Sequence, residues 1–135
     1  MIRVATKSDE ELVRRSLGFR LGNAEVGGAL ITDKDITIID DANPNIFGRI
    51  HFEPSDRAYY AAHMWIPNTA ESIVAFMDAF AAELIRRNHG AVPVRWNYAN
   101  NVFETKGDAA IKPRKLSETR REFTANEYIK LRKQR

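Results

Sequence analysis

Cysteine is absent from this chain of 135 residues. Its absence excludes disulfides, thiolate metal sites and a thiol nucleophile, and it fits a reducing compartment. Long apolar runs are missing as well. Nothing approaches the roughly 20 residues that span a bilayer, and the opening MIRVATKSDEEL has no apolar stretch fit for a secretory leader. The expectation is a cytoplasmic protein with no membrane partner. Glycine and proline are few, at 7 and 5, and no linker, repeat or low-complexity segment is present. Positive charge is missing from one long stretch: no Lys or Arg stands between Arg57 and Arg86.

The charge that is present is unevenly spread. Residues 106–135 carry ten Lys or Arg against four Asp or Glu, a net of +6, whereas residues 1–105 are net −3. The reading is an α/β domain over 1–105 followed by a basic C-terminal extension over 106–135. Such a tail can meet an acidic protein surface, nucleic acid or the chain's own acidic body. Phe123, Tyr128 and Leu131 supply apolar anchors and Arg120, Arg121, Lys130 and Arg132 a polar rim, so these seven are the candidate interaction residues. The expectation is that removing the tail leaves the body folded.

Periodicity orders the elements. Residues 2–6 read as a short strand. Ser8 opens a helix, with Glu11 completing a capping box, and Gly22 with Asn23 closes it. Two β-rich runs flank Asp33 and Lys34 within residues 25–40 and predict a hairpin. Gly27 and Gly28 suit a bulge. In residues 46–54, Ile50 and Phe52 alternate with Arg49, His51 and Glu53. Residues 58–67 are nearly continuous in apolar character, which predicts burial on both faces. Thr69 then caps a long helix over 70–88 whose stripe is Ile73, Met77, Phe80 and Leu84, with Gly90 as the stop signal. Residues 91–99 form a further strand.

This order, with MIRVATKSDEELV at its start, the step MWIP leading into the long helix, and VRWNYANNVFETKG after it, resembles the GNAT superfamily of N-acyltransferases from residue 1 to about 107. The resemblance implies a GNAT-like mixed sheet with flanking helices and an atypical C-terminal end. In that family, backbone N–H groups of a basic, glycine-rich loop hold the acyl-CoA pyrophosphate at a helix N-terminus. The matching stretch here is PNTAES, where Pro67 lacks an N–H, Thr69 caps the helix and Glu71 adds a negative charge. The family's proton-donating Tyr falls at Phe103 or Glu104. No cofactor is therefore expected.

The leading expectation is a non-catalytic interaction or assembly protein on a degenerate N-acyltransferase fold, of the class found in phage virions, with a protein partner or larger assembly and with nucleic acid as a further partner for the tail. A virion location would go with that class. The alternative is an acyl-CoA-dependent amine N-acyltransferase. The resemblance then implies Trp65, Ile66, Asn68, Thr69 and Asn97 for acetyl-CoA or another acyl-CoA, and the sequence offers His51 or Glu53 as the base. His51 and Glu53 share one strand face, and His63 on a neighbouring strand could join them as a general-base or metal group; ordinary sheet hydrogen bonding is the competing reading. His89 reads as a surface cap. The Asp33–Asp35 and Asp40–Asp41 pairs resemble metal ligands but suit turns equally, and no metal site is assigned. Tyr59, Tyr60, Trp65, Trp96 and Tyr98 are core or stacking mass.

Overall fold

The structure is a computed structural model. It describes all residues except 23, 24, 26, 44, 68, 98–110 and 135. Strand β1 (Ile2–Val4) leads into helix α1 (Glu10–Arg20). A meander follows, β2 (Asp35–Asp40), β3 (Phe47–Glu53) and β4 (Ala58–Trp65). Helix α2 (Ala70–Arg86) crosses over to β5 (Val94–Asn97). The chain ends with β6 (Arg114–Lys115), β7 (Arg120–Phe123) and helix α3 (Ala125–Lys133). The strands form one mixed sheet in the order β1-β2-β3-β4-β5-β7-β6. Among the described residues only β4 and β5 pair in parallel, as a connection through a helix requires.

Each strand's alternation sorts its side chains onto two faces. Ile36, Ile38, Ile50 and Tyr59 meet Ile73, Phe76, Met77, Phe80 and Leu84 of α2 in the main core. Thr69 starts that helix by accepting the Ser72 N–H at 3.2 Å, which satisfies one of its free donors. The opposite face carries a smaller cluster in which Val13 and Leu17 of α1 pack with Ala5, Leu30, Ile39 and Phe47.

Several sequence expectations change. In place of the residue 25–40 hairpin, the described residues hold a single strand, β2. Side chains of the α1 region occupy the backbone of the preceding segment instead: Glu10 accepts the Leu30 N–H at 2.6 Å, Arg14 donates to the Gly28 carbonyl at 3.0 Å and Lys7 to the Ile31 carbonyl at 3.1 Å. A segment so satisfied has no need of a strand partner. Gly27 and Gly28 thus lie outside any strand, and Gly28 takes φ +77°. Helix α1 begins later than Ser8, because the Asp9 carboxylate accepts the Thr6 N–H at 2.7 Å and closes a short 3-10 turn over Lys7–Asp9 first. The long helix ends at Arg86, with Asn88 at φ 62° filling the left-handed position expected of a glycine. Strand β4 is fully buried only at Ala58 and Tyr59.

The basic tail is woven into the sheet. Strand β7 pairs antiparallel with β5 from Val94↔Phe123 to Asn97↔Arg120. Phe123 and Tyr128 are 5% and 1% exposed and belong to the main core. The Tyr128 hydroxyl donates to Asp78 of α2 at 2.8 Å, and Arg132 makes a two-point contact with the same carboxylate at 3.0 and 3.1 Å. Two of the three apolar anchors expected to face a partner, Phe123 and Tyr128, therefore pack into the chain's own core with α2.

Candidate functional site

Six strands each contribute one polar residue to a single row. Asp35 of β2 is the registered partner of His51 on β3, His51 of Tyr60 on β4, Tyr60 of Arg95 on β5, Arg95 of Glu122 on β7, and Glu122 of Arg114 on β6. Registered partners share a face, here the one opposite α2 and α3. A register shift between Arg49 and Ile50 makes this alignment possible, since it brings Tyr60 opposite His51 and leaves His63 opposite Arg49.

The row is chemically continuous along most of its length. The Asp35 carboxylate is only 2% exposed, while the His51 ring is 43% exposed with Nδ1 at 2.8 Å from Asp35 Oδ1. An ionised carboxylate only accepts, so Nδ1 carries the proton and Nε2 is the ring's other nitrogen. Asp35 also accepts from Arg49 at 3.0 Å and from the Thr32 hydroxyl at 2.6 Å. Further along, the Tyr60 hydroxyl donates to Asp56 at 2.7 Å and accepts from Arg95 at 3.3 Å. Glu122 accepts from Arg95 at 2.8 Å and from Arg114 at 2.9 Å, and its hydrogen bond, followed by that of Tyr60, raises the Arg95 pKa. The charges in the row are thus matched by neighbours, and His51 is its half-exposed imidazole.

The remaining sequence candidates fall in several places. Glu53 shares the face of His51 but accepts from the Ser55 hydroxyl at 3.1 Å. His63 does not join them. Its Nδ1 is buried without a hydrogen-bond partner, and burial, then the Arg49 charge, lower its pKa. Among the described residues no three His, Asp or Glu side chains converge as metal ligands. Asp40 and Asp41 instead hold the N-terminal amine, and Asp41 also pairs with Arg3 at 3.1 Å. His89 is not a simple surface cap: its ring stacks on Phe52, with centroids 5.1 Å apart, and its Nδ1 lies 2.8 Å from the Tyr59 hydroxyl.

The residues that the N-acyltransferase resemblance implies for acyl-CoA lie where β4 meets α2. The β4/β5 ladder registers only Tyr59↔Val94 and Tyr60↔Arg95, so among the described residues Ala61–Trp65 has no strand partner on that side. The Trp65 ring packs edge-on against Phe47 at 5.1 Å, with the Arg20 guanidinium over it at 5.1 Å. Ile66 packs against the main core. Asn97 is exposed at the end of β5. Asn68, Phe103, Glu104 and Tyr98 lie outside the described residues. The Thr69 N–H donates to the Pro67 carbonyl at 2.9 Å, and the Thr69 hydroxyl holds the Ser72 N–H.

Of the tail candidates, Arg121 is tied to the β6–β7 turn through the Ser117 carbonyl at 2.9 Å. Leu131 is half-buried, while Arg120 and Lys130 are exposed. Among the described residues no helix is long and apolar enough to cross a membrane. No protein-family model, curated protein or solved structure matches this chain. The site must therefore be read from its geometry. Sequence reasoning singled out His51, noted Asp35 only as one of a turn or metal pair and Tyr60 only as core or stacking mass, and passed over Arg95 and Glu122. The signal was a polar residue on the same phase of each strand, which becomes a row only once the register is known.

Proposed function

We propose that this chain is a non-catalytic interaction protein built on an N-acyltransferase-like fold. The order strand, helix, meander, long helix, strand supports the fold reading. One observation carries the functional reading: at the start of α2 the chain itself uses the Thr69 and Ser72 donors and adds a carboxylate to the first turn. Pro67 has no N–H to offer, the Thr69 N–H goes to Pro67 and the Ser72 N–H goes to Thr69. Glu71 adds a carboxylate to the first turn. A pyrophosphate would meet a like charge and a reduced set of bare N–H groups there. The matched charges of the polar row support the same reading, since an internally neutralised face suits a contact surface better than a poised reaction centre.

Calorimetric titration of the full chain with acetyl-CoA tests this. The expected result is no saturable heat up to about 1 mM, corresponding to binding weaker than about −4 kcal/mol. A dissociation constant in the low micromolar range, about −8 kcal/mol, would overturn it.

The second reading is an amine N-acyltransferase, favoured by the Asp35–His51 pair at 2.8 Å. A buried carboxylate that fixes the tautomer of a half-exposed imidazole leaves Nε2 to take a proton from an incoming amine. Release of free CoA thiol from acetyl-CoA in the presence of amines, abolished by His51→Ala, would establish this reading in place of the first.

A further inference from the structure

Half of the polar row lies on an open sheet face. Helix α1 meets that face through Ala5, Leu30, Ile39 and Phe47, while α2 and α3 pack on the other side of the sheet. Among the described residues no helix covers β5, β7 and β6 on the side that carries Arg95, Glu122 and Arg114. Tyr60 of β4 borders this area and is 36% exposed. Alternation along the strands adds Asn97 and Arg120 to the same face. These two are registered partners, and both are exposed.

The charges of the patch are layered. The Glu122 side chain is only 10% exposed, whereas Arg95 and Arg114, one on each of its oxygens at 2.8 and 2.9 Å, are 33% and 62% exposed. A carboxylate that solvent scarcely reaches therefore holds two guanidiniums side by side, and the guanidiniums are what the face presents. Arg114 also stands 3.8 Å from Glu127, and Arg95 donates to the Tyr60 hydroxyl at 3.3 Å. Each guanidinium has five N–H donors, more than these contacts use. Arg120, two residues before Glu122, has no side-chain hydrogen-bond or ion-pair partner among the described residues. The Tyr60 ring is held in place at its hydroxyl, which donates to Asp56 at 2.7 Å.

Charge complementarity and the placement of the ring together select an occupant. Guanidiniums with spare donors call for anions with several acceptor oxygens. Strands β5, β7 and β6 span about 10 Å, so the cations suit a chain of anions better than a single one. Asp56 lies at the Tyr60 end, which sends the anion path from Arg95 toward Arg114. A fixed, exposed aromatic ring at the start of that path offers a plane on which a base stacks, a feature that an acidic peptide does not need.

We propose that this face binds single-stranded nucleic acid. A base stacks on Tyr60, phosphates accept from Arg95, Arg114 and Arg120, and the Asn97 amide meets a base edge beside Arg120. The inference names a partner for the interaction protein proposed above and rests on that reading. It uses none of the residues at the start of α2, so the acetyl-CoA titration and the experiment below can fail separately.

The test is fluorescence anisotropy of the full chain with a fluorescein-labelled oligothymidylate of about 15 nucleotides, within the usual range for one binding face. Saturable binding is expected at 50 mM NaCl. With three phosphate contacts it should weaken roughly 20-fold at 200 mM. Arg120→Ala should cut that fall to roughly sevenfold. Tyr60→Ala should weaken binding at least about fivefold and leave the salt dependence unchanged, while Tyr60→Phe, which keeps the ring, should retain binding; circular dichroism checks that each variant is folded. No saturable binding at 50 mM NaCl would overturn the proposal, as would binding untouched by both Arg120→Ala and Tyr60→Ala. Competition by polyglutamate of equal charge as strong as that by unlabelled oligonucleotide would also overturn it, in favour of an acidic protein partner.

Discussion

Truncation after Pro113 removes β6, β7 and α3, and the structure makes the cost calculable. Phe123 and Tyr128 leave the core in which they are almost completely buried. Losing one large buried aromatic typically costs about 3–5 kcal/mol, so the two together would cost roughly 6–10 kcal/mol. Their rings lie 6.2 Å apart, so the two losses share contacts and the lower end is the better guide. Strand β5 also loses its partnership with β7 and keeps only the two-residue register with β4. Asp78 of α2 loses both Tyr128 and Arg132. Against a typical domain stability of about 5–15 kcal/mol, this is enough to unfold the remainder. Urea titration of residues 1–113, followed by circular dichroism, should show no cooperative transition, or one with its midpoint collapsed toward zero denaturant. A cooperative transition with the midpoint and slope of the full chain would refute the reasoning and restore the tail as a separable extension.

Two further outcomes follow from single side chains. Phe80, 1% exposed in the middle of the α2 stripe, should cost about 3–5 kcal/mol when changed to Ala, read as a lowered urea midpoint; an unchanged midpoint would mean the stripe is not core. Arg3 beside Asp9, with contacts of 2.9 and 3.0 Å, holds the Asp9 carboxyl well below the usual carboxylate range. A depressed folded pKa stabilises the fold above the unfolded value of about 4 and loses that effect as pH falls through the folded value. Asp9→Asn should therefore melt below wild type at pH 7, with the difference closing as the pH falls below about 4. A difference that stayed constant down to pH 2 would show that the ion pair is not its source.

What could be read from the chain alone was what repeats locally. Helix α2 was legible because Thr69 and the spacing of Ile73, Met77, Phe80 and Leu84 lie within one continuous segment. The inward residues of β3 were legible because Ile50 and Phe52 alternate with polar neighbours. His51 stood out as a titratable group on a polar strand face. The segment before β2 was misread because its backbone partners, Glu10, Arg14 and Lys7, come from a different part of the chain. The tail was misread for a related reason: Phe123 and Tyr128 are too few to form a core of their own, and their burial depends on α2, some 50 residues earlier in sequence. The row from Asp35 to Arg114 is the clearest case. Composition and alternation place a polar residue on each strand, but only the pairing registers, including the shift between Arg49 and Ile50, bring the six side chains into line. Periodicity is a property of neighbouring residues, whereas register is settled by which faces bury together, and a one-residue slip would have sent each polar side chain to the opposite face.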